Sequence, residues 1–364
     1  MKASVFVKTG DQGKSVSRDN NFAVLRLCAA LMVISGHMGY IVGGSVPTLF
    51  GRSIQSLGVY ILFLIGGYLI TKSWMSDPHP LRYAIKRFMR IWPPLAVFVL
   101  FAAFVAGPIL STLPVKEYFR NAGFITYLRN LAFYIIYALP GVFTNLPYPN
   151  AVNGSLWTLP VEVLMYIVVP ILLTVVRARK NTRLSKIALV VSCVMVCILD
   201  CCVYTYAPGL RLVIYGTDWI SALHIIPFYL IGVVCTIPEL RKYLNLQVAL
   251  VLLFVCSCLN MSYVGMQIVL YFVMPYIVFS LAFAPKPAFT MLKGKAEISY
   301  GLYLYGFFVQ QLVVAAAQKF GYQIGFMPAF VISCVLTAAA AYASYYFVER
   351  PALALSRKML KKIS

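Results

Sequence analysis

Arg26 and His37 stand eleven residues apart in the apolar stretch LRLCAALMVISGHMGY. Helical geometry puts both on one face, separated by about 16 Å along the axis. An imidazole that is neutral near pH 7 can take a proton from a hydroxyl, and a guanidinium fork suits phosphate or carboxylate oxygens. Each residue also has a plainer use, Arg26 as a snorkelling anchor and His37 as a hydrogen-bonded packing residue. Glu162, inside NGSLWTLPVEVLMY, is the next candidate. A lone carboxylate among apolar residues is either neutral or paired, so Glu162 is a polar site or a staple between helices. LRYAIKRFMRIWPP carries Arg82, Lys86, Arg87 and Arg90. Arg87 and Arg90 project from one helix face and suit either a phosphorylated ligand or lipid headgroups. His79 and His224 have no functional reading beyond packing.

The elements that position these groups follow from composition. Of 364 residues, 61% are hydrophobic and 11% charged, with a mean hydropathy of +0.84. Soluble domains carry about 25% charged residues, so this surface is not built to face water all round. Ten segments come near the roughly 20 apolar residues that a span needs: 22–42, 54–71, 91–110, 157–176, 187–204, 217–235, 246–262, 264–283, 298–316 and 328–347. Charge orients them. With the N-terminus inside, 25 of the 31 Lys and Arg fall in the N-terminal segment (counting Arg26 at the membrane edge), in 72–90, 177–186, 236–246 and 284–297, or in the tail. That is the positive-inside pattern. The fold class is therefore all-α integral membrane, about ten transmembrane helices, N-in and C-in. It divides into a cytoplasmic segment 1–21, one membrane domain 22–347, and a basic cytoplasmic tail 348–364.

Residues 121–140 resist this scheme. The stretch NAGFITYLRNLAFYIIYALP is apolar enough for an eleventh span, but a span there would put RARKNTRLSK outside. Arg129 at its middle also argues against crossing. The expectation is an interfacial or re-entrant helix on the outer side.

The net charge of +21 would point to nucleic acid in a soluble protein. Here the cations lie in short connections between apolar runs, so no nucleic acid is expected. The nine cysteines lie in apolar runs without zinc spacing, which implies neither a metal site nor a disulfide framework. No cleavage site follows the first apolar run, so it reads as an uncleaved helix.

Taken in order, these segments resemble the membrane-bound acyltransferase-3 family. Arg26-x10-His37 is similar to its first-helix motif and FLIGGYLITKSW (63–74) to its second-helix glycine segment. RFMRIWPP (87–94) resembles its Arg-x-x-Arg element, and NGSLWTLPVEVLMY (153–166) is the most specific match. ISYGLYLYGFFVQQ (298–311) and FVERP (347–351) complete the series. The resemblance implies transfer of an acyl group, acetyl in many members, from cytoplasmic acyl-CoA to a carbohydrate hydroxyl, with no metal. The acceptor would be a cell-surface or lipid-linked sugar such as O-antigen or exopolysaccharide, and the location the cytoplasmic (inner) membrane of a bacterium. By position His37 matches the family's proposed catalytic histidine and Arg26 its partner. Arg87 and Arg90, with Lys86 beside them, match its proposed CoA contacts. Glu162 is a candidate for orienting the imidazole or holding the sugar, and Asn153, Ser155 and Trp157 are candidate acceptor contacts. Trp157 also reads as an interface anchor. Gly306 stands where many members have a His, and Phe308 where many have a Pro. No esterase-like domain is attached, so the membrane part is expected to act alone or hand its acyl group to a separate partner. The rival reading is a transporter or flippase for a lipid-linked sugar, which would show inverted halves; no such repeat is visible.

Overall fold

The computed structural model describes residues 21–178, 182–284 and 297–363. The cations of the N-terminal segment, of RARKNTRLSK at Arg179 and Lys180, and of 285–296 lie outside the described residues. Among the described residues, eight helices are long and apolar enough to cross a membrane. They are α1 (Phe22–Ile41), α2 (Ile54–Ser76) and α3 (Pro80–Leu110), with α6 (Thr158–Ala178) and α7 (Thr182–Tyr206) after an outer excursion. Then come α11 (Tyr263–Ala282), α12 (Ser299–Lys319) and α13 (Phe326–Lys361). Between α7 and α11 lie α8 (Trp219–Leu223), α9 (Ile226–Val234) and α10 (Leu246–Cys258). Trp219–Val234 and α10 are the shorter apolar helices, at the places of the two remaining expected spans. The protein is an all-α, multi-pass membrane protein.

Among the described residues, strands are confined to two hairpins at the end away from Arg26: β1 (Thr48–Leu49) with β2 (Arg52–Ser53), and β3 (Val213–Ile214) with β4 (Thr217–Asp218). α1 packs against α2, α12 and α13, and α2 lies against α9. Small residues permit that last approach, as is usual between membrane helices. A Cβ on Gly67 would stand 1.9 Å from the Tyr229 carbonyl oxygen, and one on Gly232 2.1 Å from that of Leu64. The glycine segment of α2 is thus a helix-crossing device.

Two expectations change. Residues 81–94 do not form a connection below the third span. They are the first turns of α3 itself, which runs through Pro93 and Pro94, so Arg87 and Arg90 lie inside the bundle. Residues 121–140 are not one helix either. α4 (Val115–Arg120) and α5 (Ala122–Tyr127) are followed by a 3-10 turn (Leu128–Ala132) and an irregular arm. The Trp92 indole donates to the Leu131 carbonyl at 3.0 Å. Trp92 is twelve residues into α3, about 18 Å along its axis, so the segment dips to mid-depth and returns. Asn130, fully buried, closes the dip: its amide donates to the Tyr127 and Ile136 carbonyls at 2.7 and 2.9 Å. Non-helical backbone at this depth is tolerated because protein groups satisfy it. Helices of five or six residues cannot span, which removes the eleven-span alternative.

Candidate active site

Arg26, Arg87, Arg90 and Glu162 line one cavity of about 160 Å³, with Thr158, Tyr166, Tyr229, Ser299, Tyr300 and Tyr303 among its walls. Six helices line it, α2 and α9 supplying mostly apolar wall. α1 presents Arg26 from its second turn. α3 presents Arg87 and Arg90, three residues apart on one face. α6 supplies Glu162, and α12 supplies Tyr300 and Tyr303. Two further carboxylates, absent from the sequence expectations, complete the electrostatics. Arg26 is ion-paired with Glu297, just ahead of α12. Arg90 reaches Glu297 at 3.8 Å and Glu349 at 3.5 Å. Glu349 sits in a π-turn of α13, Tyr345–Glu349, which turns a carboxylate inward. π-turns inside helices often mark functional positions.

Arg87 donates to Ser73 Oγ at 3.3 Å and lies near the rings of Tyr83 and Tyr166, at 5.6 and 5.9 Å. The Nε atoms of Arg26 and Arg87 are buried and have no hydrogen-bond partner among the described residues. Buried N–H groups are normally satisfied, so these two mark a place for an acceptor-rich ligand. Lys86 does not join them. It pairs with Asp77 at 2.7 Å, alongside Arg82. Those heads hold the Asp77 carboxyl down at about 2, the Arg82 hydrogen bonds contributing most and Lys86 next. The Lys86–Asp77–Arg82 group fastens the α2–α3 connection, and His79 caps α3 by accepting from the Arg82 N–H at 3.4 Å.

His37 does not line this cavity. Its ring stands edge-on to Phe307, 5.2 Å between ring centres, and it has no hydrogen-bond partner among the described residues. Phe307 lies four residues beyond Tyr303 on α12, about 6 Å along the axis. His37 is therefore one turn past the cavity's far wall, where Thr158 Oγ1 and Tyr303 OH share a hydrogen bond of 2.7 Å. Glu162 accepts from Tyr166 OH rather than from His37. Asn153 and Ser155 are buried and tie the 3-10 turn Gly154–Trp157 to α12. Asn153 donates to the Leu304 carbonyl at 2.7 Å and accepts from the Ser155 N–H at 3.0 Å, and Tyr303 OH donates to the Ser155 carbonyl at 3.1 Å. Trp157 is half-buried against the main core.

A family model described as an acyltransferase domain matches residues 19–346. The chain belongs to the acyltransferase-3 family. It is an acyltransferase, and the transporter reading falls away. An "O-acetyl transferase" of Shigella phage Sf6 is 27% identical over 348 residues, which is 94% of this chain and 98% of that protein. "Nodulation protein 10" of Rhizobium leguminosarum bv. viciae is 27% identical over 365 residues, 94% and 95% of the two chains. No solved structure matches.

Sequence reasoning missed Glu297, Glu349, Tyr166 and Tyr303, all in or beside the quoted motifs. Counting cations without asking where the ten acidic residues must go hid the two glutamates.

Proposed function

We propose that the protein is an O-acyltransferase of the bacterial inner membrane that moves an acetyl group from cytoplasmic acetyl-CoA to a carbohydrate hydroxyl. The acceptor is a cell-surface or lipid-linked sugar at the opposite face. The observation that carries this reading is one cavity walled by Arg26, Arg87 and Arg90 whose far end lies a helical turn from His37, which has no hydrogen-bond partner among the described residues. The positive-inside bias sets the arginine cavity toward the cytoplasm, where a donor too charged to cross is found. The buried, unsatisfied Nε atoms of Arg26 and Arg87 fit phosphate oxygens. The relative named as an O-acetyl transferase supports the acetyl group and the oxygen acceptor.

The residues divide the work along the depth of the bundle. Arg87 and Arg90 would hold the donor's phosphates, and Tyr166 fixes Glu162 beside them. The Thr158–Tyr303 hydrogen bond stands at the end of the cavity nearest His37 and would open as the donor's thioester passes to the histidine. His37 takes the acceptor proton as the hydroxyl oxygen attacks the thioester carbonyl. The new C–O bond forms as C–S breaks, and the imidazolium returns the proton to the leaving thiolate. Phe307 against the ring limits its rotation.

The test is transfer of labelled acetyl from acetyl-CoA to isolated surface polysaccharide or its lipid-linked precursor, by membranes containing wild type or His37→Ala at matched abundance. General-base removal typically costs 10²–10⁴-fold, and a loss in about that range is expected. Undiminished transfer would remove His37 from the chemistry.

A further inference from the structure

Two guanidiniums of the arginine cavity are engaged before any donor arrives. Arg26 pairs with Glu297, and Arg90 reaches both Glu297 and Glu349; Arg87 and Glu162 line the same cavity with no ion pair among the described residues. A guanidinium that already has a carboxylate exerts less net pull on an anion, and an added phosphate would sit against that carboxylate at low local dielectric. For a polyphosphate donor to bind, one carboxylate must leave.

The three are not equally free to move. Glu349 is 1% exposed and fixed in the π-turn of α13. Glu162 is carried by α6 and accepts the Tyr166 hydroxyl. Glu297 precedes α12, belongs to no helix, and its side chain is 35% exposed. Its reach to Arg90, 3.8 Å, is beyond hydrogen-bonding distance. Its Oε1, buried against Arg26, is the contact that must break; with the side chain 35% exposed, a few rotations take the carboxylate to solvent without moving a helix.

We propose that Glu297 is an exchangeable counter-anion, a stand-in for donor phosphate. It neutralises Arg26 and Arg90 while the cavity is empty and swings out when a phosphate-bearing ligand binds. Glu349 stays in place and keeps Arg90 aimed at the cavity. The arrangement tunes donor affinity: the protein loses binding strength to its own carboxylate, and Arg26 never faces an apolar environment uncompensated. It also selects ligands, because a monoanion exchanges one charge for one, whereas a pyrophosphate brings charge to spare. This inference rests on the reading of the cavity as the donor site, so its test uses two probes.

Binding of coenzyme A and of inorganic pyrophosphate to the purified full-length protein is measured for wild type, Glu297→Gln and Arg90→Gln, with thermal unfolding followed in parallel. Glu297→Gln is expected to tighten both probes by about three- to tenfold, and Arg90→Gln to weaken both. Coenzyme A and pyrophosphate bound no more tightly by a folded Glu297→Gln overturns the proposal. Tighter pyrophosphate binding with coenzyme A bound by no form leaves the exchange standing and removes the donor reading. If Glu297→Gln does not fold, Glu297→Asp, which keeps the charge and shortens the reach, is expected to tighten both probes by a smaller factor. Unchanged binding in it overturns the proposal equally.

Discussion

Two buried ionic clusters occupy opposite ends of this bundle, and they differ in what is left over. At the far end Asp200, 1% exposed, meets His224 Nδ1, Tyr271 OH and, at 3.4 Å, Gln267 Nε2. Gln267 Oε1 in turn accepts from Arg52 at 3.1 and 3.3 Å. Arg52 also donates to the Tyr263 carbonyl at 2.6 Å and lies over that ring at 3.2 Å. The network joins β2, α7, α11 and the break between α8 and α9, and its charged heads are occupied by protein groups. The arginine cluster of α1 and α3 has the same ingredients, yet it lines a cavity and leaves two guanidinium Nε atoms without partners among the described residues. The first arrangement is a staple that holds the far end together; the second, on the function proposed above, is where the donor binds. The two histidines divide in the same way. His224 has a carboxylate, whereas His37 has no hydrogen-bond partner among the described residues and packs edge-to-face with Phe307.

Breaking the staple has the largest expected effect on stability. Arg52→Met removes the guanidinium that holds Gln267 Oε1 and the Tyr263 carbonyl and so loosens the Gln267–Asp200 contact; charge-assisted hydrogen bonds of this kind are worth about 1.5–3 kcal/mol each. A correspondingly lower thermal midpoint in detergent is expected, with specific activity per folded molecule preserved. An unchanged midpoint would refute the distinction. On the other side, Arg90→Ala removes charge-assisted contacts worth about 1.5–3 kcal/mol each. It should raise the acetyl-CoA concentration for half-maximal transfer by about 10- to 100-fold, with Lys86→Ala changing it by less than about threefold. Equal effects would return Lys86 to the donor site. The smallest effect concerns the Lys86–Asp77–Arg82 group. Its carboxyl titrates near 2 when folded and near 3.9 when unfolded, so the pairing stabilises above the unfolded value. The contribution is lost as pH falls through about 2. Protease nicking at the α2–α3 connection should stay constant from pH 7 to 4 and rise only below that, and a rise between pH 6 and 5 would contradict the assignment.

Much of this was legible from the residues because a bilayer enforces it. Apolar runs near span length mark helices, and cations in short connections mark one side. Charged groups within spans must be accounted for, as Arg26 and Glu162 show. The illegible parts involve partners far apart in sequence. Asp200 sat unnoticed in an ordinary apolar run, since its partners lie 24, 67 and 71 residues away. His224 looked inert for the same reason. Lys86 looked like part of the arginine group because the two are adjacent, but a helix sends neighbouring residues to different faces.

By itself the sequence determined that this chain crosses a membrane many times as helices, which way its charges bias it, and which motif family it belongs to. Those properties depend on composition, on spacing along one helix and on the ordered run of motifs. Tertiary structure alone decided that Arg87 and Arg90 lie within the bundle and that 121–140 dips and returns. It also decided that Glu297 and Glu349 pair with Arg26 and Arg90, and that His37 stands a turn beyond their cavity. Each of these depends on how helices cross, and one helix's periodicity does not specify which carboxylate another helix brings to it.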